Sequence, residues 1–203
     1  MKKNKKLNST IIDGVLFVVL VFGLAIVFGL SSCSDPSKSD DSKATAEEHN
    51  DAKFNDNNKE NDAQFLVNAA AINLMEIQLG NLAAQRGMMA EVKDMGKMMA
   101  DAHSKLLEEV KGLAAKKSVT VPTTLTDEGQ NAYKKLNDES GKDFDKDFCD
   151  MMVNGHKDAI NKFETAADKS VDTDIKNWAN ATLPALRKHL DMAITCQDNC
   201  KKM

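Results

Sequence analysis

Apolar residues recur at alternating steps of three and four along four stretches of this chain, the period of one buried helix face. The first stretch runs from Asp62 to Gln85 and carries Phe65, Ala69, Ile72, Leu79 and Ala83. The second, Met89 to Lys117, carries Val92, Met95, Met99, Leu106, Val110 and Leu113. The third, Lys142 to Lys169, carries Cys149, Met152, Ile160, Phe163 and Ala167. The fourth, Asp172 to Asn199, carries Ile175, Trp178, Thr182, Ala185 or Leu186, Ala193 and Cys196. Asp62 and Thr126 stand where N-caps belong, and Gly87 where a helix stops. Pro184 lies inside the fourth stretch, where it removes a hydrogen bond and predicts a kink about one turn before His189.

Short breaks near Gly87 and Ser170 make each neighbouring pair of helices antiparallel. Between the pairs, residues 119–126 read as extended around Pro122, and a short helix is expected from Asp127 to Ser140. The fold class predicted is all-α: a four-helix bundle of two antiparallel pairs, joined by a crossover with a short extra helix. Scarce aromatics, three prolines and abundant Ala, Lys, Leu and Met agree with helices rather than sheets.

Each stripe holds one ionisable residue in place of a leucine: Glu76, His103, His156 and His189. Such groups are costly in a core unless something pairs with them. One from each helix, converging inside a bundle, is how helical bundles build metal sites. The pairs Glu76/His103 and His156/His189 each lie about five residues from the level that hinges near 87 and 170 predict, in the same sense. Three imidazoles and one carboxylate suit one Zn, Fe, Mn or Cu ion. A hydrogen-bonded His/Glu network without metal is the competing reading. Met99, Met152 and Met192 flank the histidines; as thioether ligands they would favour copper(I), and otherwise they fill the core. His49 falls outside the stripes and reads as solvated.

Cys149 and Cys196 share the level of His156 and His189, which predicts a disulfide clamping the last two helices and leaves Cys200 free or competing for the bridge. A Cys196–Cys200 bridge needs a frayed helix end, and a metal held by Cys149, Cys196 and Cys200 is a further alternative.

The N-terminus belongs to a different class of sequence. Lys2, Lys3, Lys5 and Lys6 precede an almost wholly apolar run from Ile11 to Leu30, then Leu30-Ser31-Ser32-Cys33. Residues 1–32 read as a secretory signal peptide whose ending resembles the bacterial lipobox, with Cys33 as the acylated residue. The run is also long enough to read as a plain transmembrane anchor. Residues 33–61 are poor in large apolar groups and read as a flexible tether before a bundle at 62–203. The expected location is the cell envelope outside the cytoplasm, periplasm or cell surface, with the membrane as partner through lipid on Cys33.

Four of the 27 basic and one of the 31 acidic residues lie in 1–32, so the mature chain would carry a net charge of −7. No basic patch points to nucleic acid. No nucleophile–base pair, glycine-rich phosphate loop or zinc-type cysteine spacing marks an enzyme.

Asp62-Ala63-Gln64-Phe65, Glu76-Ile77 with Leu82-Ala83, Asp101-Ala102-His103, Phe144-Asp145 followed by Met152-Val153 and His156, and Leu183-Pro184 with Leu186, His189 and Leu190 occur in this order. In that order they resemble the bacterial domain of unknown function 4142, which is considered ferritin-like. The resemblance implies the ferritin-like bundle and no established activity. Di-iron bundles use Glu-x-x-His on two helices. Here Ala100, Val153 and Leu186 stand three residues before the histidines, so the bridging carboxylates are missing; this argues against a di-iron centre and points to one ion at most. A lipid-anchored bundle that binds one transition metal is thus the leading expectation. A structural or interaction module with a buried polar network is the alternative, and a mononuclear metalloenzyme comes third.

Overall fold

The computed structural model describes residues 41–202. The expected signal peptide, Cys33 and the first part of the expected tether lie outside the described residues. Six helices follow one another: α1 (Ser42–Asp51), α2 (Asn57–Arg86), α3 (Ala90–Lys117), α4 (Asp127–Asp138), α5 (Gly141–Lys169) and α6 (Thr173–Cys200). No strand occurs among the described residues. None of these helices is long and apolar enough to cross a membrane. The fold is an all-α bundle in which α2 pairs with α3 and α5 with α6, and α4 lies in the crossover against α2 and α5. Thr126 caps α4 as the sequence predicts, its hydroxyl accepting from the Gly129 N–H at 3.1 Å. α6 continues as helix through Pro184.

Two expectations at the N-terminal side need correction. Residues 42–51 are not a free tether: they form α1, which packs on α2. Few apolar groups hold it, but polar ones do. The Asn50 amide donates to the Thr120 carbonyl and accepts from the Thr120 N–H, both at 2.8 Å. The Ser42 hydroxyl donates to the Thr124 carbonyl at 3.0 Å. α1 is thereby pinned to the crossover, a long-range contact that local composition does not announce. His49 on α1 is exposed, as expected.

Asp62 is not the N-cap of α2 either; Asp56 is, accepting from the backbone of Asn58 and Lys59. Asp62 is buried, and its carboxylate accepts from the Asp172 N–H at 3.0 Å, at the turn between α5 and α6. Asp145 does the matching task. It is fully buried on α5 and accepts from the Met88 and Met89 N–H groups, at 2.8 and 2.7 Å, at the turn between α2 and α3. The first helix of each pair thus sends one aspartate to satisfy orphan N–H groups in the other pair's hinge.

Small residues set the spacing of α2 and α3. A Cβ on Gly80 would stand 2.6 Å from the Gly96 carbonyl oxygen, and one on Gly96 2.6 Å from that of Gly80. The two backbones touch because neither residue has a side chain. The core falls into two apolar clusters, one around Leu66, Val110, Phe163 and Ile175 and the other around Leu79, Met99, Phe144 and Met152. The ionisable residues of the four stripes occupy the layer between them.

Candidate metal centre

Glu76 on α2, His103 on α3, His156 on α5 and His189 on α6 are all buried. Each sits where its stripe crosses from one apolar cluster to the other, as His103 does between Met99 and Leu107. The three imidazoles form a triangle with ring centroids 5.4 to 5.5 Å apart. One ring nitrogen from each lies within 4.8 Å of the other two.

Hydrogen bonds determine which nitrogens face inward. His156 Nδ1 is 2.9 Å from the Met152 carbonyl oxygen, which can only accept, so Nδ1 carries the proton. His103 Nδ1 is 2.8 Å from Asn73 Oδ1. The Asn73 amide is oriented by its own Nδ2, which donates to the Ala69 carbonyl at 2.8 Å. His103 Nδ1 therefore also donates. The other nitrogens, His103 Nε2 and His156 Nε2, face each other at 3.4 Å. In neutral rings both carry lone pairs, and no proton lies between them. His189 Nδ1 is buried without a partner.

The rings are neutral. Burial, then the neighbouring His156 and His189, hold His103 well below the usual histidine range. Burial, partly opposed by the Met152 carbonyl, takes His156 down to about 4. Burial, and then Lys188, also lowers His189. Burying three protonatable rings together makes each resist charging.

Glu76 does not join the three converging nitrogens. Its Oε1 stands 3.8 Å from His156 Nδ1, on the outer edge of that ring, and its Oε2 is buried without a partner. Burial raises its pKa to about 8, so Glu76 and His156 meet as a neutral acid and a neutral base rather than as an ion pair. A Cβ on Gly155 would approach Glu76 Oε1 to 3.0 Å, and the glycine leaves the carboxyl that space. A cleft of about 730 Å³, lined in part by α2 and α5, reaches Glu76. The sequence stripe ranked Glu76 with the ligands because burial alone does not say which edge of a ring a neighbour meets.

Asn73 is the residue that the stripes missed. It lies three residues before Glu76, on the same helix face, and is buried. A buried amide one turn from a stripe acid was the available signal. Of the flanking methionines, Met99 and Met152 are buried in the second apolar cluster, whereas Met192 is one of the exposed large hydrophobics.

The cysteines also differ from expectation. The Sγ atoms of Cys149 and Cys196 are 2.8 Å apart, against about 2.05 Å for a disulfide. Cys149, Cys196 and Cys200 are all free, so the expected bridge is not formed. The shared level was correct, and it brings the sulfurs into contact. Of the two fates expected for Cys200, the structure shows the one beside Cys149: its Sγ lies 3.6 Å from that of Cys149.

No curated protein and no solved structure matches the chain at a significant level. A family profile does match, over residues 44–195, from α1 to near the end of α6. That span takes in every residue of the histidine layer together with Asn73 and both hinge-capping aspartates. The chain belongs to the DUF4142 family, a domain of unknown function.

Proposed function

We propose that this protein is a lipid-anchored component of the bacterial cell envelope whose bundle holds one transition-metal ion on His103, His156 and His189. One observation carries the metal reading: two lone pairs, on His103 Nε2 and His156 Nε2, point at each other across 3.4 Å in the buried core. A cation between them relieves that opposition. Two nitrogens bound at about 2.0–2.1 Å to a tetrahedral ion stand roughly 3.3–3.4 Å apart, which matches the spacing present. The outer edges of both rings already donate to oxygen, the arrangement that orients ligating imidazoles and raises their basicity. Glu76 waits behind His156 and would ionise as the ion's charge arrives, offsetting part of it. Zn, Fe, Mn and Cu are the ions this donor set accepts, and the tetrahedral spacing favours zinc.

The envelope part of the proposal rests on the sequence: the basic start, the apolar run and Cys33. It expects acylation of Cys33, seen by mass spectrometry, and loss of membrane attachment in Cys33→Ala.

The second reading, a purely structural polar layer, draws on the same Asn73–His103 and His156–Met152 bonds. Metal analysis of the full chain, purified in detergent, stripped and exposed to each ion in turn, separates the two. The metal reading expects the wild type to hold one ion more than His103→Ala/His156→Ala. Equal loading for every ion would leave only the structural layer.

A further inference from the structure

We propose a second, soft metal site, specific for monovalent copper, formed by Cys149, Cys196 and Cys200 at the other end of the α5–α6 pair from the hinge. Cys196 and Cys200 are one turn apart on α6 and face the same way, and Cys149 meets them from α5. Cys149 is the hub, 2.8 Å from Cys196 and 3.6 Å from Cys200, and all three sulfurs lie within 4.8 Å of one another. All three residues are buried. Three thiols can make one disulfide and must leave one sulfur out, whereas a single ion uses all three. Metal–sulfur bonds of about 2.3 Å place sulfurs roughly 3.8 Å apart. The Cys149–Cys200 spacing is already close to that, and the Cys149–Cys196 pair reaches it by opening about 1 Å through side-chain rotation.

The surroundings select the ion. The Met89 thioether lies 3.8 Å from the Cys200 sulfur, which adds a fourth soft donor. The two carboxylates acting on these thiols are occupied. Asp145 accepts from Met88 and Met89, and Glu91 accepts from the Asn199 amide at 2.9 and 3.0 Å. No imidazole belongs to the cluster: Cys149 is seven residues before His156 and Cys196 seven after His189, about 10 Å along each helix. An all-sulfur set of thiolates with a thioether suits copper(I), while zinc gains little from a thioether. There is also a way in. A groove of about 540 Å³ reaches Cys196, lined by the Met95 and Met192 thioethers and by the Glu91, Asp94 and Asp191 carboxylates, with Lys188 as the opposing charge. Met192, a large apolar residue left exposed on the surface, lies at this groove.

The test is an anaerobic titration of the reduced, metal-stripped full chain in detergent with copper(I), against a competing chelator. Wild type and His103→Ala/His156→Ala are both expected to take up one copper(I) that Cys149→Ala/Cys196→Ala/Cys200→Ala does not. X-ray absorption of the loaded His103→Ala/His156→Ala variant, which lacks the histidine site, is expected to show sulfur neighbours alone, and zinc bound to that variant beforehand is expected to be displaced. Should the triple variant fail to fold, the wild type still decides: copper(I) is expected to shield all three thiols from alkylation together. Unchanged copper uptake without the cysteines, nitrogen or oxygen neighbours in the histidine variant, zinc that copper(I) does not displace from that variant, or unshielded thiols in the wild type would each overturn the proposal.

Discussion

Replacing Glu76 by glutamine tests whether the polar layer of the metal-free protein is neutral. The wild-type carboxyl is fully buried, has one oxygen without a partner, and titrates near 8 instead of 4.5 because burial penalises its anion. A raised folded pKa contributes stability that is complete below 4.5 and is lost as pH rises through about 8. At about 1.36 kcal/mol per pH unit, the gap amounts to about 5 kcal/mol, of which about 3 is lost by pH 7. Local relaxation and entering water reduce these ceilings. Glutamine has nearly the same shape and cannot ionise, so whatever it changes in packing is independent of pH. The quantity to measure is the difference in urea-unfolding free energy between Glu76→Gln and wild type, in chelator, from about pH 4.5 to about pH 9. It is expected to move steadily in favour of the variant as pH rises. A difference flat to within about 1 kcal/mol would refute a buried neutral acid. A difference moving the other way would mean that Glu76 and His156 are an ion pair after all, with a proton on His156 Nε2 donated toward His103 Nε2 where two opposed lone pairs are inferred.

In the Glu76→Gln background, acid should destabilise the protein. His156 falls from 6.5 to about 4 on folding, so its contribution is present above 6.5 and is lost toward 4, about 3 kcal/mol from this ring alone; stability that does not fall across that window would contradict neutral rings. Asn73→Ala removes the acceptor from His103 Nδ1, and metal affinity is expected to drop about 10- to 100-fold, read by chelator competition. An unchanged affinity would show that the ring is oriented by packing alone. Gly96→Ala forces a methyl against the Gly80 carbonyl and the Ala84 N–H, neither of which can step aside. The strain should outweigh the helix-propensity gain and cost about 2 kcal/mol, seen as a lower urea midpoint; a midpoint at or above the wild type would show that α2 and α3 are free to separate.

The hydrophobic stripes were legible because a helix repeats its buried face every three to four residues, whatever it packs against. That periodicity located the four long helices and singled out Glu76, His103, His156 and His189 as misfits in a core, while the breaks between stripes gave both hinges and the Thr126 cap gave the short α4. It also placed Cys149 beside Cys196, since antiparallel helices match residues by level. What the stripes left open depends on direction within a layer and on contacts between distant segments. α1 is a helix because Asn50 and Ser42 find the backbone of the crossover, so its polar composition misled. Asp62 looked like a cap of its own helix, and the assembled bundle gives it to the hinge of the other pair. Asn73 acquires its meaning from His103, thirty residues away. Local periodicity, then, determined which residues are buried and at what height. The packed bundle alone decided which edge of each ring faces its neighbour, since orientation within a layer is set by hydrogen-bond partners arriving from other helices. That is why Glu76 stands behind His156 rather than among the three nitrogens, and why Cys200 joins its two companions instead of standing apart.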